Sequence, residues 1–301
     1  MTPTLDHREE LLAEVRLLAE IARREDLGER GDLTAGLLDA NEPSAFLLLG
    51  KQTGVFCGRM IVETILSVFD PRLEMSWLQH AVDGGELHDP TELAVIRGPL
   101  GAVLAVERTL LNFLQHLCGV ATLTRKYVVA VAGTRAAIYD TRKTLPGWRL
   151  LDKYAVRCGG GHNHRIGLHD AILIKDNHLA GIPVTHLPGA VFEMLNRAAT
   201  LDPPPAFVAV EAASLEQVEQ LFKVLGIHVI LLDNFAVHDL RRAVRRRDEL
   251  GLAGKVELEA SGGVNLETVR TIAETGVERI SVGAITHSAP SLDLSLERLT
   301  G

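Results

Sequence analysis

The sequence predicts a mixed α/β protein in which an amino-terminal α+β region is followed by a region of parallel strands. At 301 residues the chain is long enough to bury a large core and to form two domains. Before residue 120, helical spacing of apolar residues is mixed with short apolar runs and turns. After Gly133, short β-branched runs alternate with helical patterns, which is typical of right-handed βαβ units.

The amino-terminal region begins with apolar residues at helical spacing over residues 9–25, which predicts an amphipathic helix. Residues 45–110 mix short apolar runs with Gly and Asp turns, as in an α+β segment. A long helical pattern follows from Glu107 to Val131, and Gly119 marks a candidate break within it. We interpret this pattern as the helix that carries the chain from one domain into the next.

Six apolar runs are the predicted strands of the second region: AAIYDT, AILIKD, FVAVEA, HVILLDN, VELEASGG and RISVGA. Parallel strands with fully apolar bodies fit either a (β/α) barrel or a doubly wound sheet, and periodicity does not separate the two. We divide the chain into an amino-terminal domain over residues 1–120, a barrel domain over 121–288 and a carboxyl-terminal segment over 289–301. We expect that last segment to return to the amino-terminal domain.

Composition restricts the class of partner. The formal charge is −8 and the isoelectric point is about 5.8, so we expect no nucleic-acid or anionic-membrane partner, and any attraction for anions must be local. The sequence contains no uninterrupted apolar run of about 18 residues and opens without an apolar signal core. Cys57, Cys118 and Cys158 are odd in number and show no metal-ligand spacing, which indicates free, reduced thiols. We therefore expect a cytoplasmic protein.

Charged or glycine-rich residues end each predicted strand: Asp140, Lys175, Glu211, Asp233, Ser261-Gly262-Gly263 and Gly283. In a barrel the carboxyl ends of all strands converge on one face, where the active site is built. The alternative is that each residue only caps a loop or the following helix. Because the pattern recurs on different strands, we favour a common site.

The stretch from Arg135 to Lys175 contains eight basic and three acidic residues in an otherwise acidic chain. Arg142 and Lys143 follow a strand end, and His164 and Arg165 precede the next strand, so these four should face the mouth of the site. Arginine suits planar carboxylates and lysine suits phosphate. Three further basic residues have four-residue spacing on a predicted helix and are interpreted as a solvated face: Arg149, Lys153 and Arg157.

The later strand ends predict a phosphate site and two acids. Ser261-Gly262-Gly263 follows a strand and is expected to open a helix near Asn265, whose amino terminus can hold a phosphate, and Gly283 would complete the cradle. Glu211 and Asp233 are suited to Mg²⁺ with several waters, or to sugar hydroxyls. The alternative is that these acids only neutralise nearby lysines.

Long motifs resemble the quinolinate phosphoribosyltransferase family, also called carboxylating nicotinate-nucleotide pyrophosphorylases: ERTLLNFLQHLCGVAT, YDTRKTLPGWRLLDKYAVRCGGGHNHRIGLHDAILIKDNH, LLDNF and ASGGV…ISVGAITHSAPSLDLSL. EDLGERGDLTAGLL near the amino terminus is similar too, so the resemblance covers essentially the whole chain. It implies the type II phosphoribosyltransferase architecture, an amino-terminal α/β domain over an irregular α/β barrel, and a homodimer.

The resemblance also implies a reaction of NAD biosynthesis, in which quinolinate, phosphoribosyl pyrophosphate and Mg²⁺ give nicotinate mononucleotide, CO₂ and pyrophosphate. Carried over by motif, Arg108 should reach quinolinate across the dimer. The other substrate-binding positions are Arg142, Lys143, His164, Arg165, Lys175, Glu211, Asp233, Ser261, Gly262, Gly263 and Gly283. Four of them should be catalytic: Lys143, Lys175, Glu211 and Asp233. The two lysines should lie beside the phosphates and carboxylates, and the two acids should serve the ribose and Mg²⁺, the metal partly through water.

Three alternatives stay open. A sister protein of the same fold from molybdenum-transport loci would share the phosphate site but differ at the arginines that bind quinolinate. A Schiff-base aldolase would use Lys175 as nucleophile, although Asp176 follows it directly. A non-catalytic anion-binding barrel would keep the phosphate cradle without needing Glu211 and Asp233.

Overall fold

A computed structural model describes residues 7–300 of the chain. The amino-terminal half contains α1 (Arg8–Leu27), β1 (Pro43–Gly50), β2 (Gly54–Val55), α2 (Arg59–Phe69), β3 (Glu74–Trp77), β4 (Glu86–Leu87), β5 (Thr91–Pro99) and α3 (Leu100–Ala130). The remainder contains β6 (Ala137–Tyr139), α4 (Arg149–Cys158), β7 (Ile172–Ile174), α5 (Asp176–Leu179), α6 (Leu187–Ala198), β8 (Val208–Ala212), α7 (Leu215–Leu221), β9 (Val229–Asp233), α8 (Val237–Glu249), β10 (Glu257–Ser261), α9 (Val269–Ala273), β11 (Arg279–Ser281), α10 (Ala284–His287) and β12 (Leu294–Arg298).

The chain forms two compact units. The first contains the described residues up to Arg125, the segment Thr144–Gly160 and the residues from Ile285 onward, and the second contains Lys126–Lys143 and Gly161–Ala284. The predicted boundaries differ from this division because residues 144–160, including α4, group with the first unit. That grouping follows from packing: α4 lies against α1 and most of its residues are buried.

The first unit is built on an antiparallel sheet in the order β12-β1-β5-β3. Leu48 at the centre of the sheet is fully buried, and it pairs with Leu296 of β12 and Ala94 of β5. The predicted opening helix is α1, whose buried residues Leu11, Val15 and Ala19 recur every four positions. The carboxyl-terminal residues therefore complete the sheet of the unit that the chain begins.

Helix α3 is continuous, so the break expected at Gly119 is wrong. The structure supplies another reason for glycine at this position. A Cβ atom built on Gly119 would lie 2.2 Å from the carbonyl oxygen of Pro290, closer than any side chain tolerates. Gly119 therefore lets the backbone before β12 approach the helix closely.

The basic residues of α4 do not form the solvated face that their spacing indicated. Lys153 is only 2% exposed, and Arg149 and Arg157 are half-buried. On the same helix Asp152 is fully buried and its Oδ1 lies 2.7 Å from Nε2 of His116 in α3. Four-residue spacing alone did not distinguish an exposed face from a helix that is packed on most sides.

The second unit contains six parallel strands in the order β6-β11-β10-β9-β8-β7. From β7 to β11 the neighbours in the sheet follow chain order, and β6 pairs with β11 rather than with β7. This is the cyclic order of a barrel that is open between its first two strands. A doubly wound sheet would instead reverse its order near the middle. The structure thus selects the irregular barrel.

Helix length and hydropathy bear on membrane association. Among the helices of residues 7–300, none is both long enough and apolar enough to cross a bilayer.

Candidate active site

The first residue of the site along the chain is Asp140, which directly follows β6. Asp140 is fully buried, and its carboxylate accepts hydrogen bonds from the backbone N–H of His164 at 2.8 Å and from Nδ2 of Asn163 at 2.7 Å. The backbone N–H of Asp140 in turn donates to the carbonyl oxygen of His162. Residues 162–165 are therefore held alongside β6, so Asp140 positions the segment that carries His164 and Arg165.

The carboxyl ends of the strands surround a cavity of about 330 Å³ within the second unit. Its lining residues are Asp140, Thr141, Arg142, Lys143, His164, Arg165, Leu173, Lys175, Glu211, Leu231, Asp233, Glu259, Ser261 and Ser281. Eight of the twelve predicted substrate-binding residues thus share one cavity. The convergence expected of a barrel is what joins residues so far apart in sequence.

Four predicted residues lie outside that lining. Gly262 and Gly263 follow Ser261 and are exposed, and Gly283 is half-buried in the turn between β11 and α10. Arg108 is exposed on α3, within the first unit.

Two guanidinium groups crowd one side of the cavity. Burial lowers the pKa of Arg165, and the neighbouring positive charge of Arg142 lowers it further. Nε of Arg142 is buried and donates no hydrogen bond to any described residue. A buried donor without an acceptor is costly, and mutual repulsion adds to that cost. A bound carboxylate would relieve both.

Negative charge in the cavity comes from Glu211 of β8 and Asp233 of β9. Nζ of Lys175 lies 3.6 Å from Oε2 of Glu211. Burial raises the pKa of Glu211 and the charges of Asp233 and Asp176 raise it further, while Lys175 opposes them. Glu211 and Asp233 therefore form a pair of interacting carboxylates beside a lysine. Repulsion between the two acids favours a cation or sugar hydroxyls between them.

Two residues of the site were not predicted from the sequence: Glu259, which lines the cavity, and its partner Arg279. Glu259 is fully buried in β10, and its Oε2 accepts a hydrogen bond from Nε of Arg279 at 2.7 Å. Cζ of Arg279 lies 3.8 Å from the centroid of the Tyr139 ring. The available signal was a glutamate inside the apolar run VELEAS, where every second side chain faces the barrel interior.

Glu259 also faces His164. Nδ1 of His164 accepts the backbone N–H of Arg165, which places the ring proton on Nε2, 3.5 Å from Oε1 of Glu259. Burial alone would raise the pKa of Glu259, but contact with His164 and the charge of Arg279 outweigh it and hold the pKa below its usual value. Glu259 is therefore an ionised base under the cavity that orients two of its neighbours.

The predicted phosphate loop differs from expectation in its helix. Gly262 and Gly263 have φ of +93° and +60°, conformations that favour glycine, but α9 begins only at Val269. The reason is local: Oδ1 of Asn265 accepts the backbone N–H groups of Glu267 and Thr268 and forms a turn before the helix. The backbone amides near Ser261 thus belong to a loop and not to a helix terminus.

A parallel barrel whose strand ends place arginines, lysines and two acids around one cavity defines the class as an α/β-barrel enzyme for small polyanions. Two family profiles match this chain: the quinolinate phosphoribosyl transferase amino-terminal domain over residues 32–118 and the carboxyl-terminal domain over residues 120–297. The chain belongs to the quinolinate phosphoribosyl transferase family.

Individual relatives agree. The chain is 41% identical over 267 residues to the nicotinate-nucleotide pyrophosphorylase [carboxylating] of Mycobacterium leprae, covering 89% of this chain and 87% of that one. It is 37% identical over 273 residues to the probable nicotinate-nucleotide pyrophosphorylase [carboxylating] of Bacillus subtilis, covering 91% and 89%. The solved structure of the Francisella tularensis nicotinate-nucleotide pyrophosphorylase has a TM-score of 0.85 at 35% identity and covers 96% of this chain and 97% of that one.

Proposed function

We propose that this protein transfers a phosphoribosyl group from phosphoribosyl pyrophosphate to quinolinate and decarboxylates the product to nicotinate mononucleotide. The observation that carries the proposal is the single cavity in which Arg142 and Arg165 crowd one side and Glu211 and Asp233 the other. Quinolinate is a dianion and its partner carries several negative charges. Fixed cations allow two such molecules to approach, and the acids serve the sugar and its metal.

Quinolinate is assigned to the arginine side of the cavity. The unpaired Nε of Arg142 and the lowered pKa of Arg165 both indicate that this side is prepared for a carboxylate. His164 is held through its backbone by Asp140 and faces Glu259 with its ring, so its orientation beside the two arginines is fixed. The ring nitrogen of quinolinate would then face the strand ends that hold the sugar.

Phosphoribosyl pyrophosphate is assigned to the remaining strand ends. Ser261, Gly262, Gly263 and Gly283 would contact the ribose phosphate, and Lys143 and Lys175 the pyrophosphate. The paired carboxylates of Glu211 and Asp233 fit Mg²⁺, which takes few protein ligands and keeps several waters. When bound there, Mg²⁺ would neutralise charge on the departing pyrophosphate.

The chemistry proceeds in two steps. The ring nitrogen forms a bond to the anomeric carbon while the bond from that carbon to pyrophosphate breaks, and the electron pair leaves with pyrophosphate. The carboxylate next to the positively charged nitrogen then departs as CO₂, and its electron pair stays on the ring carbon, which takes up a proton. Lys143 and Lys175 stabilise the leaving charge in the first step. Positioning and electrostatics suffice, so no protein nucleophile is needed.

We further propose a homodimer in which Arg108 reaches the partner's quinolinate, and a location in the cytoplasm. Exposure of Arg108 on α3 supports the first proposal, because an arginine without burial is available to a second chain. Three free cysteines support a reducing compartment.

The test is a substrate panel with purified protein, phosphoribosyl pyrophosphate and Mg²⁺, in which quinolinate or nicotinate is the acceptor and chromatography detects nicotinate mononucleotide. We expect product from quinolinate at a rate far above that from nicotinate, because the arginines require the second carboxylate. No product from quinolinate would contradict the proposal and favour the sister protein of molybdenum-transport loci. Borohydride trapping of substrate on Lys175 would favour the aldolase.

A further inference from the structure

Three separate segments of the first unit bring two thiols and a carboxylate together. Cys57 lies in the loop between β2 and α2, Asp83 in the loop between β3 and β4, and Cys158 is the last residue of α4. One ligand atom from each lies within 4.8 Å of the other two. We propose that Cys57, Asp83 and Cys158 form a binding site for a thiophilic divalent cation, with Zn²⁺ as the ion that the ligand set fits.

The separations among the three ligand atoms suit an ion with tetrahedral coordination. With Zn–S distances of about 2.3 Å and Zn–O of about 2.0 Å, ligand atoms around zinc are separated by roughly 3.5 Å. The three ligand atoms lie within 4.8 Å of one another, which is near that separation. Two thiolates make the site soft enough to prefer Zn²⁺ over Mg²⁺ or Ca²⁺. Three protein ligands leave a fourth position for water or for the nearby phenol of Tyr154.

Asp83 is already oriented as a ligand. Its Oδ1 accepts the backbone N–H groups of Gly58 at 2.8 Å and Arg59 at 3.0 Å, and its Oδ2 accepts the hydroxyl of Tyr154 at 2.5 Å. Carboxylate oxygens keep further lone pairs beyond these bonds, and hydrogen bonds of this kind fix the direction of a metal ligand. Both thiols are buried while Asp83 is half-exposed, so the carboxylate gives the ion a path from solvent.

Charge balance favours a dication. Among residues 7–300, no ion pair includes Asp83. The nearby guanidinium of Arg125 is instead bound to the carbonyl oxygens of Gly84, Cys158 and Gly159. Cys57 and Cys158 are both free thiols. One dication that replaces two thiol protons leaves the net charge of this buried cluster unchanged.

Cys118 offers a matched control. It is also fully buried and its Sγ contacts the backbone of Cys57, accepting from the N–H at 3.2 Å and donating to the carbonyl oxygen at 3.4 Å. Cys118 is absent from the cluster of mutually close ligand atoms. Its removal should therefore spare the ion.

The experiment is a titration of reduced, chelator-treated full-length protein with Cd²⁺, a spectroscopic stand-in for Zn²⁺, monitored by thiolate-to-metal charge-transfer absorption. We expect saturation at one equivalent and displacement by Zn²⁺ but not by excess Mg²⁺. The Cys57→Ala/Cys158→Ala protein should lose the band and Cys118→Ala should retain it. Asp83→Asn keeps the oxygen that accepts from Gly58 and Arg59, and should bind at least tenfold more weakly. Circular dichroism establishes that each variant is folded.

Wild-type protein without a saturable band at one equivalent would overturn the proposal whatever the variants do. An undiminished band in the folded Cys57→Ala/Cys158→Ala protein, or loss of the band in folded Cys118→Ala, would place the ion elsewhere and also overturn it. Since the readout is absorption and not turnover, the result is independent of the phosphoribosyl transfer proposed above.

Discussion

At the scale of single residues, the cavity is preorganised by groups that repel each other in the absence of ligand. Burial lowers the pKa of Arg165 and the charge of Arg142 lowers it further. Burial raises the pKa of Glu211, and the charge of Asp233 adds to that rise. Such arrangements are unfavourable for the free protein and are typical of sites that bind opposite charge. They explain how an acidic chain can hold a dianion at one place.

Lys143 is expected to act on the charge that develops in the reaction. Lys143→Ala should lower turnover by about 10²-fold or more, the scale of losing one preorganised electrostatic contact. Steady-state assays with both substrates measure the effect. Lys255→Ala is the matched control, because Lys255 is an exposed lysine in the loop before β10. Unchanged turnover in Lys143→Ala would remove Lys143 from the mechanism.

Glu259 is expected to stabilise the barrel beneath the cavity. Glu259→Gln keeps the shape but removes the buried negative charge that pairs with Arg279, which should lower the free energy of unfolding by about 3 kcal/mol. Glu257→Gln is the control: Glu257 is about half exposed and 3.3 Å from Arg279, so its loss should cost less than about 1 kcal/mol. Denaturant unfolding at neutral pH compares the two.

The stabilisation that Glu259 provides to the folded protein should depend on pH. The pKa of Glu259 is lower in the folded protein than in the unfolded chain, so its stabilisation is present above the unfolded pKa and is lost as the pH falls through the folded pKa. The stability deficit of Glu259→Gln should therefore shrink on acidification. A deficit that stays constant into strongly acidic solution would show that the charge of Glu259 is not its source.

At the scale of elements, Gly119 shows tertiary contact outweighing helix propensity. Ala normally favours a helix by about 1 kcal/mol over Gly, yet Gly119→Ala should destabilise the protein by about 2 kcal/mol because its Cβ would meet the carbonyl of Pro290. Gly189 in α6 has nothing within 4 Å of its Cβ position, so Gly189→Ala should gain about 0.5 kcal/mol. Thermal unfolding that ranked the two alike would contradict this account.

Elements with a strong local period were predictable from sequence. The strand runs, the opening helix and the residues that end the strands were read from spacing, and eight predicted site residues do share the cavity. Features set by contacts between distant segments were not predictable. Burial of Lys153, the late start of α9 and the assembly of Cys57 with Cys158 each depend on neighbours remote in sequence or on a local side-chain turn.

At the scale of the whole molecule, the exposed Arg108 provides a test of the proposed homodimer. If each site combines Arg108 of one chain with Lys143 of the other, a mixture of Arg108→Ala and Lys143→Ala proteins regains intact sites. Equal amounts that exchange subunits freely should recover about one quarter of wild-type activity, since half the dimers are mixed and each has one complete site. Activity of the refolded mixture, compared with each variant alone, measures this. No recovery would place Arg108 and Lys143 in the same chain's site or exclude Arg108.

In the proposed reaction, one cavity couples phosphoribosyl transfer to decarboxylation. The most direct measurement uses quinolinate labelled in the 2-carboxylate and follows CO₂ and pyrophosphate together in the presence of Mg²⁺. We expect equal amounts of CO₂ and pyrophosphate, with no CO₂ when phosphoribosyl pyrophosphate is omitted, because only the bond to the sugar makes the ring nitrogen positive. Release of CO₂ without phosphoribosyl pyrophosphate, or of pyrophosphate without CO₂, would contradict the coupling of the two steps.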